Sequence, residues 1–286
     1  MTAAVRNPTL LELKSADPRS GDGWKCWTAR GQSFRVDWLE ASRSDARIRI
    51  DSPWEAMMVV PDAPAAIHRD GRRTETVRGS VAIVPAGGFE VEPAPGAPCI
   101  VLTSLRADDA SDAINADAYR EPDPRIMPCE PAYRPRRGGD TVRVLPITSL
   151  RAPADKPRLK ILQSATLSIN WVEYEGPRNR TALSPHAHAD FEQGSLGISG
   201  SFMHHLRVEW GADATQWQDD RHVRLESPSL MVVPVRLTHT SEGVGPGRHL
   251  LIDVFSPPRA DFRARGWIAN AGDYDPPEDV HRGGAA

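Results

Sequence analysis

Cysteine is scarce in this chain. Its three residues, Cys26, Cys99 and Cys129, are widely spaced and odd in number, with no C-x-x-C pair. That argues against a disulfide framework or a zinc ribbon and fits a reducing compartment, so a cytoplasmic location is expected. Long apolar runs are missing as well. No stretch approaches the ~18 apolar residues of a membrane helix, and the start, MTAAVRNPTLLELKSADPRSGDG, lacks the apolar segment of a signal peptide, so no membrane partner is expected. Nor does one sign of charge dominate: the formal net charge is -3 and the pI is near 6.3. Nucleic acid, whose phosphates attract clustered Lys and Arg, is therefore not an expected partner. The densest basic run, RPRRGG at 134–139, lies among prolines and glycines and reads as a solvated linker.

Sustained helical periodicity is also rare. Short alternating or apolar runs broken by Gly, Pro, Asp and Ser recur instead, which is an all-β pattern. At 40% hydrophobic and 26% charged residues the composition is that of an ordinary globular protein, and 286 residues allow one large domain or two. The candidate strands come in the same order twice. VDWLEAS (36–42) aligns with INWVEYE (169–175), pairing Trp38 with Trp171 and Glu40 with Glu173. GSVAIVPAGGFEVE (79–92) aligns with PSLMVVPVRLTHTS (228–241), pairing Pro85 with Pro234, and CIVLTSL (99–105) answers HLLIDVF (249–255). A duplicated β-domain follows, with residues 1–105 as the first domain, 106–145 as a linker rich in Pro, Asp and Arg, and 146–286 as the second domain and tail. One short helix is expected around 109–119.

The second half carries SPHAHADFEQGSLGISG (184–200). On an extended segment residues two apart share a face, so His186 and His188 can aim two imidazoles at one point, and Glu192 follows four residues later. His239, five residues after Pro234, is the best candidate for a further ligand. Three imidazoles and one carboxylate suit a divalent transition ion with positions left for water or substrate.

The pattern H-x-H-x3-E, followed by P-x4-H, resembles the two motifs of the cupin superfamily. That resemblance implies a double-stranded β-helix barrel in which His186, His188, Glu192 and His239 hold one metal, and it covers residues 165–255. Arg236 stands where the second motif usually has glycine, the glycine ahead of the first histidine is displaced to Gly176, and the stretch between the motifs is long. The first half resembles the same fold without its histidines. Arg49, Asp51 and Glu55 fall at first-motif positions and Glu90 at that of His239, so this half is expected to be degenerate and structural. The whole is thus expected to be a bicupin, two tandem jelly-roll-like barrels.

Of the other histidines, His204 and His205 are adjacent, so only one can face the barrel. Trp54, Met57, Met58, Trp210 and Trp217 are expected to pack in cores. No phosphate loop, G-x-S-x-G elbow or cysteine nucleophile is present, which leaves chemistry to the metal. The first expectation is a mononuclear oxygenase using Fe(II), with Mn, Co, Ni, Cu or Zn also compatible, acting on a small organic acid, aromatic or dicarbonyl compound. The second is an isomerase, epimerase or lyase on a sugar acid, and DVFSPPRADF (253–262) resembles the close of small cupins tied to uronate breakdown. A non-catalytic small-ligand-binding barrel is the third. Barrel edges that pair between subunits make a homodimer an expectation too.

Overall fold

The computed structural model describes residues 4–109, 111–136, 139–154 and 156–277. The ends of the two expected domains, 1–3 and 278–286, and part of the 134–139 basic run lie outside the described residues. Among the described residues strands dominate, and helix is confined to short 3-10 turns and one α-helix, Ala260–Ala264. No helix among the described residues is long and apolar enough to cross a membrane.

Each half builds a broad sheet facing a smaller one. In the first half Ser80–Val84, Ala56–Val60, Cys99–Ser104 and Phe34–Ala41 lie side by side, and in the second Ser229–Val233, Gln193–Ser199, Arg248–Phe255 and Ser168–Glu175 repeat that order. Every pairing between named strands is antiparallel, including the opposing sheets Ile48–Ser52, Gly87–Glu92, Ala66–Arg69, Arg72–Glu75 and Arg221–Glu226, Ser201–Val208, Leu237–Val244. The duplication extends to single hydrogen bonds: Trp38 Nε1 donates to Glu40, and Trp171 Nε1 to Glu173, both at 2.9 Å.

The two broad sheets pack against each other. One apolar cluster joins Val36, Trp38, Met57 and Ile100 of the first half to Ile169, Trp171, Leu196 and Ile252 of the second. A strand in such a sheet is covered on both faces, which is why Ala56–Val60 reads as a continuous run: Met57 and Val59 face the other barrel, while Ala56, Met58 and Val60 fill their own. The interior of the first barrel is packed with Leu39, Ile48, Met58, Ile67, Phe89 and Val101. That of the second holds a smaller cluster of Leu206, Leu225, Met231, Val233 and Leu237. Its strands place polar groups inside instead: Gln193 and Ser195 alternate with Leu196 and Ile198, and Asp253 with Ile252 and Val254.

Strand pairing departs from the expected domain boundaries at two places. Thr9–Glu12 pairs with Ser229–Val233 of the second barrel, and Arg143–Pro146 pairs with Ser80–Val84 of the first. Each is followed directly by a 3-10 turn, Leu13–Ser15 and Ile147–Ser149. They are equivalent arms of the repeat exchanged between barrels, and pattern within a four-residue strand cannot say which edge it will join. The linker is also held firmly. Gln32 and Asp123 bond through Gln32 Nε2 to the Asp123 carbonyl at 3.1 Å and the Asp123 amide to Gln32 Oε1 at 2.6 Å. Among the described residues of the helix expected at 109–119, a single 3-10 turn forms, Ala116–Tyr119. Trp210 and Trp217 are not core residues. They stack on each other with rings 4.5 Å apart at the surface, 71% and 44% exposed.

Candidate metal centre

The segment carrying His186 and His188 is extended beside strand Leu237–Val244. His186 and His239 exchange two backbone hydrogen bonds, at 3.1 and 2.8 Å, and the Arg236 amide donates to the His188 carbonyl at 2.6 Å. This pairing brings the three imidazoles together, with one ring nitrogen from each within 4.8 Å of the others. His188 and His239 are buried and His186 opens to solvent. Arg236, standing where the family motif has glycine, adopts φ 67°. Gly87, at the equivalent place after Pro85, has φ 111°. The backbone geometry of the motif is thus kept without its glycine, at a cost of ~1–2 kcal/mol for a left-handed residue bearing a Cβ.

Backbone carbonyls orient two of the rings as ligands. Nδ1 of His186 faces the Ser184 carbonyl at 2.8 Å and Nδ1 of His239 the Leu237 carbonyl at 2.9 Å, so each Nδ1 carries its proton and Nε2 is the free donor. Burial lowers His188 to a pKa of about 3 and His239 to about 4.

Glu192 is not brought to the histidines. Its neighbour Gln193 is, with Oε1 2.9 Å from His188 Nε2 and 3.3 Å from His239 Nε2. The reason is strand phase: consecutive residues point to opposite faces, and Gln193 shares the interior face with Ser195. The Gln193 amide cannot be turned round without loss. Its Nε2 donates to Ser195 Oγ at 3.0 Å and to Asp253 Oδ1 at 2.9 Å, which leaves Oε1 toward the imidazoles. Glu192 points into the interface between barrels, where Oε2 accepts from the Gln32 amide at 2.6 Å. Glu55, its counterpart in the first half, accepts from the Ala165 amide at 2.9 Å, and Ala165 is the repeat equivalent of Gln32. Burial raises Glu192 to a pKa of about 7, with Asp123 adding to the effect. Both glutamates are interdomain acceptors.

Among the described residues the first barrel has no comparable site. Arg49 pairs with Asp51 at 3.0 Å, Glu90 faces Arg47 at 3.6 Å, and Glu55 is further engaged by Arg143 at 3.0 Å and the Tyr274 hydroxyl at 2.8 Å. Among the described residues the three histidines are the only cluster of His, Cys, Asp or Glu arranged to hold an ion. His204 faces inward onto Ser241 at 2.7 Å, while His205 faces outward to His222 and Glu242.

Three further groups complete the wall of a cavity of about 700 Å³ that opens from the histidines. Asp253 accepts from Gln193, from Ser195 Oγ at 3.2 Å and, on Oδ2, from Asn170 at 3.3 Å, and burial raises its pKa. Arg259 pairs with Asp261 at 2.6 Å and lies 3.9 Å over the Phe262 ring, 4.6 Å over Phe191 and 5.2 Å over Phe255. Arg178 has a buried Nε without a partner. Of these, Asp253 and Arg259 lie inside DVFSPPRADF. The in-phase Gln193 and Ser195 preceding Gly197 were the signal for the interior amide.

No family model and no curated protein matches the chain. Solved structures do. A Lactobacillus farciminis oxalate decarboxylase in complex with formate superposes with a TM-score of 0.59 at 13% identity, covering 90% of this chain and 88% of that one. A mutant of Bacillus subtilis oxalate decarboxylase gives 0.58 at 11% identity over 90% and 79%. A structure of the Bacillus subtilis enzyme used to study its Mn(II) centres gives 0.56 at 10% over the same shares. At these identities the likeness speaks for the fold. With its duplicated jelly-roll barrels, the chain has a bicupin fold like that of these enzymes.

Proposed function

We propose that the second barrel is a metal-dependent active site that moves a proton on a small carboxylate compound, the chemistry of isomerases and lyases. The observation that carries this reading is Asp253, a carboxyl group fixed on the cavity wall by the same amide that faces His188 and His239. His186, His188, His239 and Gln193 would hold one divalent transition ion. Bound there, the ion would polarise a substrate oxygen and ease removal of a neighbouring proton. Asp253 takes or gives that proton through Oδ2, the oxygen with the lighter hydrogen bonding, while Gln193 and Ser195 hold Oδ1 in place. Arg259, held on both oxygens of Asp261 and packed against three phenylalanine rings, closes one side of the site.

Replacing the expected carboxylate ligand by an amide changes which chemistry fits best. Three imidazoles and an amide are all neutral, so the ion keeps its full divalent charge as a Lewis acid, and a ferric state gains no anionic ligand from the protein. That favours Mn(II), Zn(II) or Ni(II) and non-redox chemistry over the Fe(II) oxygenase expectation. The formate and Mn(II) named for the structural neighbours are in keeping with a carboxylate and a divalent ion here.

The test is an anaerobic screen of sugar acids and small hydroxy and keto acids with metal-reconstituted protein in D2O, followed by NMR. Conversion or deuterium exchange without dioxygen, lost by at least about a hundredfold in Asp253→Asn while metal content stays at the parent level, is the expected result. Turnover that requires dioxygen would restore the oxygenase reading.

A further inference from the structure

Many cations of this protein pair with its own anions. Arg35 pairs with Asp37 and Asp112, Arg43 with Asp22 and Asp45, and Arg259 with Asp261. Arg178, half-buried in the wall of the metal-site cavity, is different. No ion pair reaches it among the described residues, and its Nε is shut off from solvent without a hydrogen-bond partner. Burying a charge costs free energy unless a counter-charge is supplied.

Asp253, a carboxylate on the same cavity wall, is already committed to Gln193, Ser195 and Asn170. Arg158, brought to the same cavity by the segment just after the interdomain arm, also lacks an acidic partner among the described residues. Both arginines share the cavity wall with Tyr174, whose hydroxyl accepts from the Gly243 amide at 2.8 Å. The cavity is much larger than a two-carbon acid needs.

We infer that Arg178 and Arg158 form an anion subsite in the cavity wall, separate from the metal ligands themselves, and that the substrate carries two anionic groups, one for the metal end and one for these arginines. This deepens the proposed function and rests on its carboxylate-binding metal site. Arg178 is the specificity-determining residue, since a planar fork in a sheltered wall recognises a carboxylate or a phosphate with two parallel hydrogen bonds. A monoanion leaves that charge uncompensated and gains nothing from it.

Gluconate, glucarate and 6-phosphogluconate share one six-carbon skeleton and differ in the far group: hydroxyl, carboxylate or phosphate. Their dissociation constants for the metal-reconstituted full-length protein are measured by titration calorimetry, beside Arg178→Gln, Arg178→Lys and Arg158→Gln. The expected result is that one or both dianions bind at least about tenfold tighter than gluconate, the tighter of the two naming the far group as carboxylate or phosphate. In Arg178→Gln that advantage falls to within about twofold, and Arg178→Lys restores part of it, with metal content unchanged in each. Equal binding of all three compounds to the parent overturns the subsite, as does a dianion advantage that survives Arg178→Gln. The two claims separate cleanly: gluconate bound by the metal-loaded protein but not by the metal-free one supports the carboxylate site alone, and failure of all three to bind overturns both.

Discussion

Glu192 and Gln193 are neighbours that serve different halves of the molecule. One accepts a hydrogen bond from Gln32 across the barrel interface and the other faces His188 and His239. Glu192→Ala leaves the Gln32 amide buried without its acceptor, so it should cost ~1–3 kcal/mol of unfolding free energy in denaturant titration. Glu55→Ala, which abandons Ala165, Arg143 and Tyr274 together, should cost at least as much. A wild-type unfolding curve for both would contradict the paired roles. The three histidines were legible in the sequence because H-x-H and a distant P-x4-H specify both residue type and spacing. Gln193 was not, because a glutamine beside a glutamate carries no motif value until strand phase decides which of the two turns inward. Arg178 was hidden for another reason: its significance lies in the lack of a counter-ion, which only the folded chain shows.

At the level of elements, the exchanged arms and the second-motif turn carry the clearest consequences. The arm Thr9–Glu12 supplies an edge strand to the second barrel and brings Leu10 and Leu11 onto it. Removing the chain up to Glu12 should destabilise the protein by on the order of 2–4 kcal/mol, read as a lower midpoint in thermal unfolding. An unchanged midpoint would show that the strand contributes nothing. Arg236 holds φ 67° where glycine is free to do so, so Arg236→Gly should be neutral or stabilising by up to about 1 kcal/mol. Broad strands were readable from alternation and from the repeat, as in EAMMVV and SLMVVP. The destination of the arms was not, since TLLE and RVLP fit either edge equally well. The stacked Trp210 and Trp217 defeat composition for a similar reason: large apolar residues are usually inside, and only the length of the strands on either side carries this pair out into solvent.

On the scale of the whole molecule the two barrels share a core, exchange arms and are stapled by two equivalent glutamates. They should therefore unfold in one transition in calorimetry, with two resolved transitions contradicting the shared core. Duplication has also allowed the halves to diverge: one interior is filled with Met58, Phe89 and their neighbours, and the other is emptied to make a cavity ending at three imidazoles. That divergence was visible as histidines at the ligand positions of one half and none at those of the other. The central claim is that the second barrel holds one divalent ion through His186, His188, His239 and Gln193. Elemental analysis of protein prepared without a histidine tag tests it most directly, with Gln193→Ala, His239→Ala and Glu192→Gln alongside. About one equivalent of a divalent transition metal per chain in the parent and in Glu192→Gln, falling at least tenfold in His239→Ala and markedly in Gln193→Ala, is the predicted result. A parent that takes up no metal on reconstitution, or loss of the ion in Glu192→Gln with retention in Gln193→Ala, would contradict it.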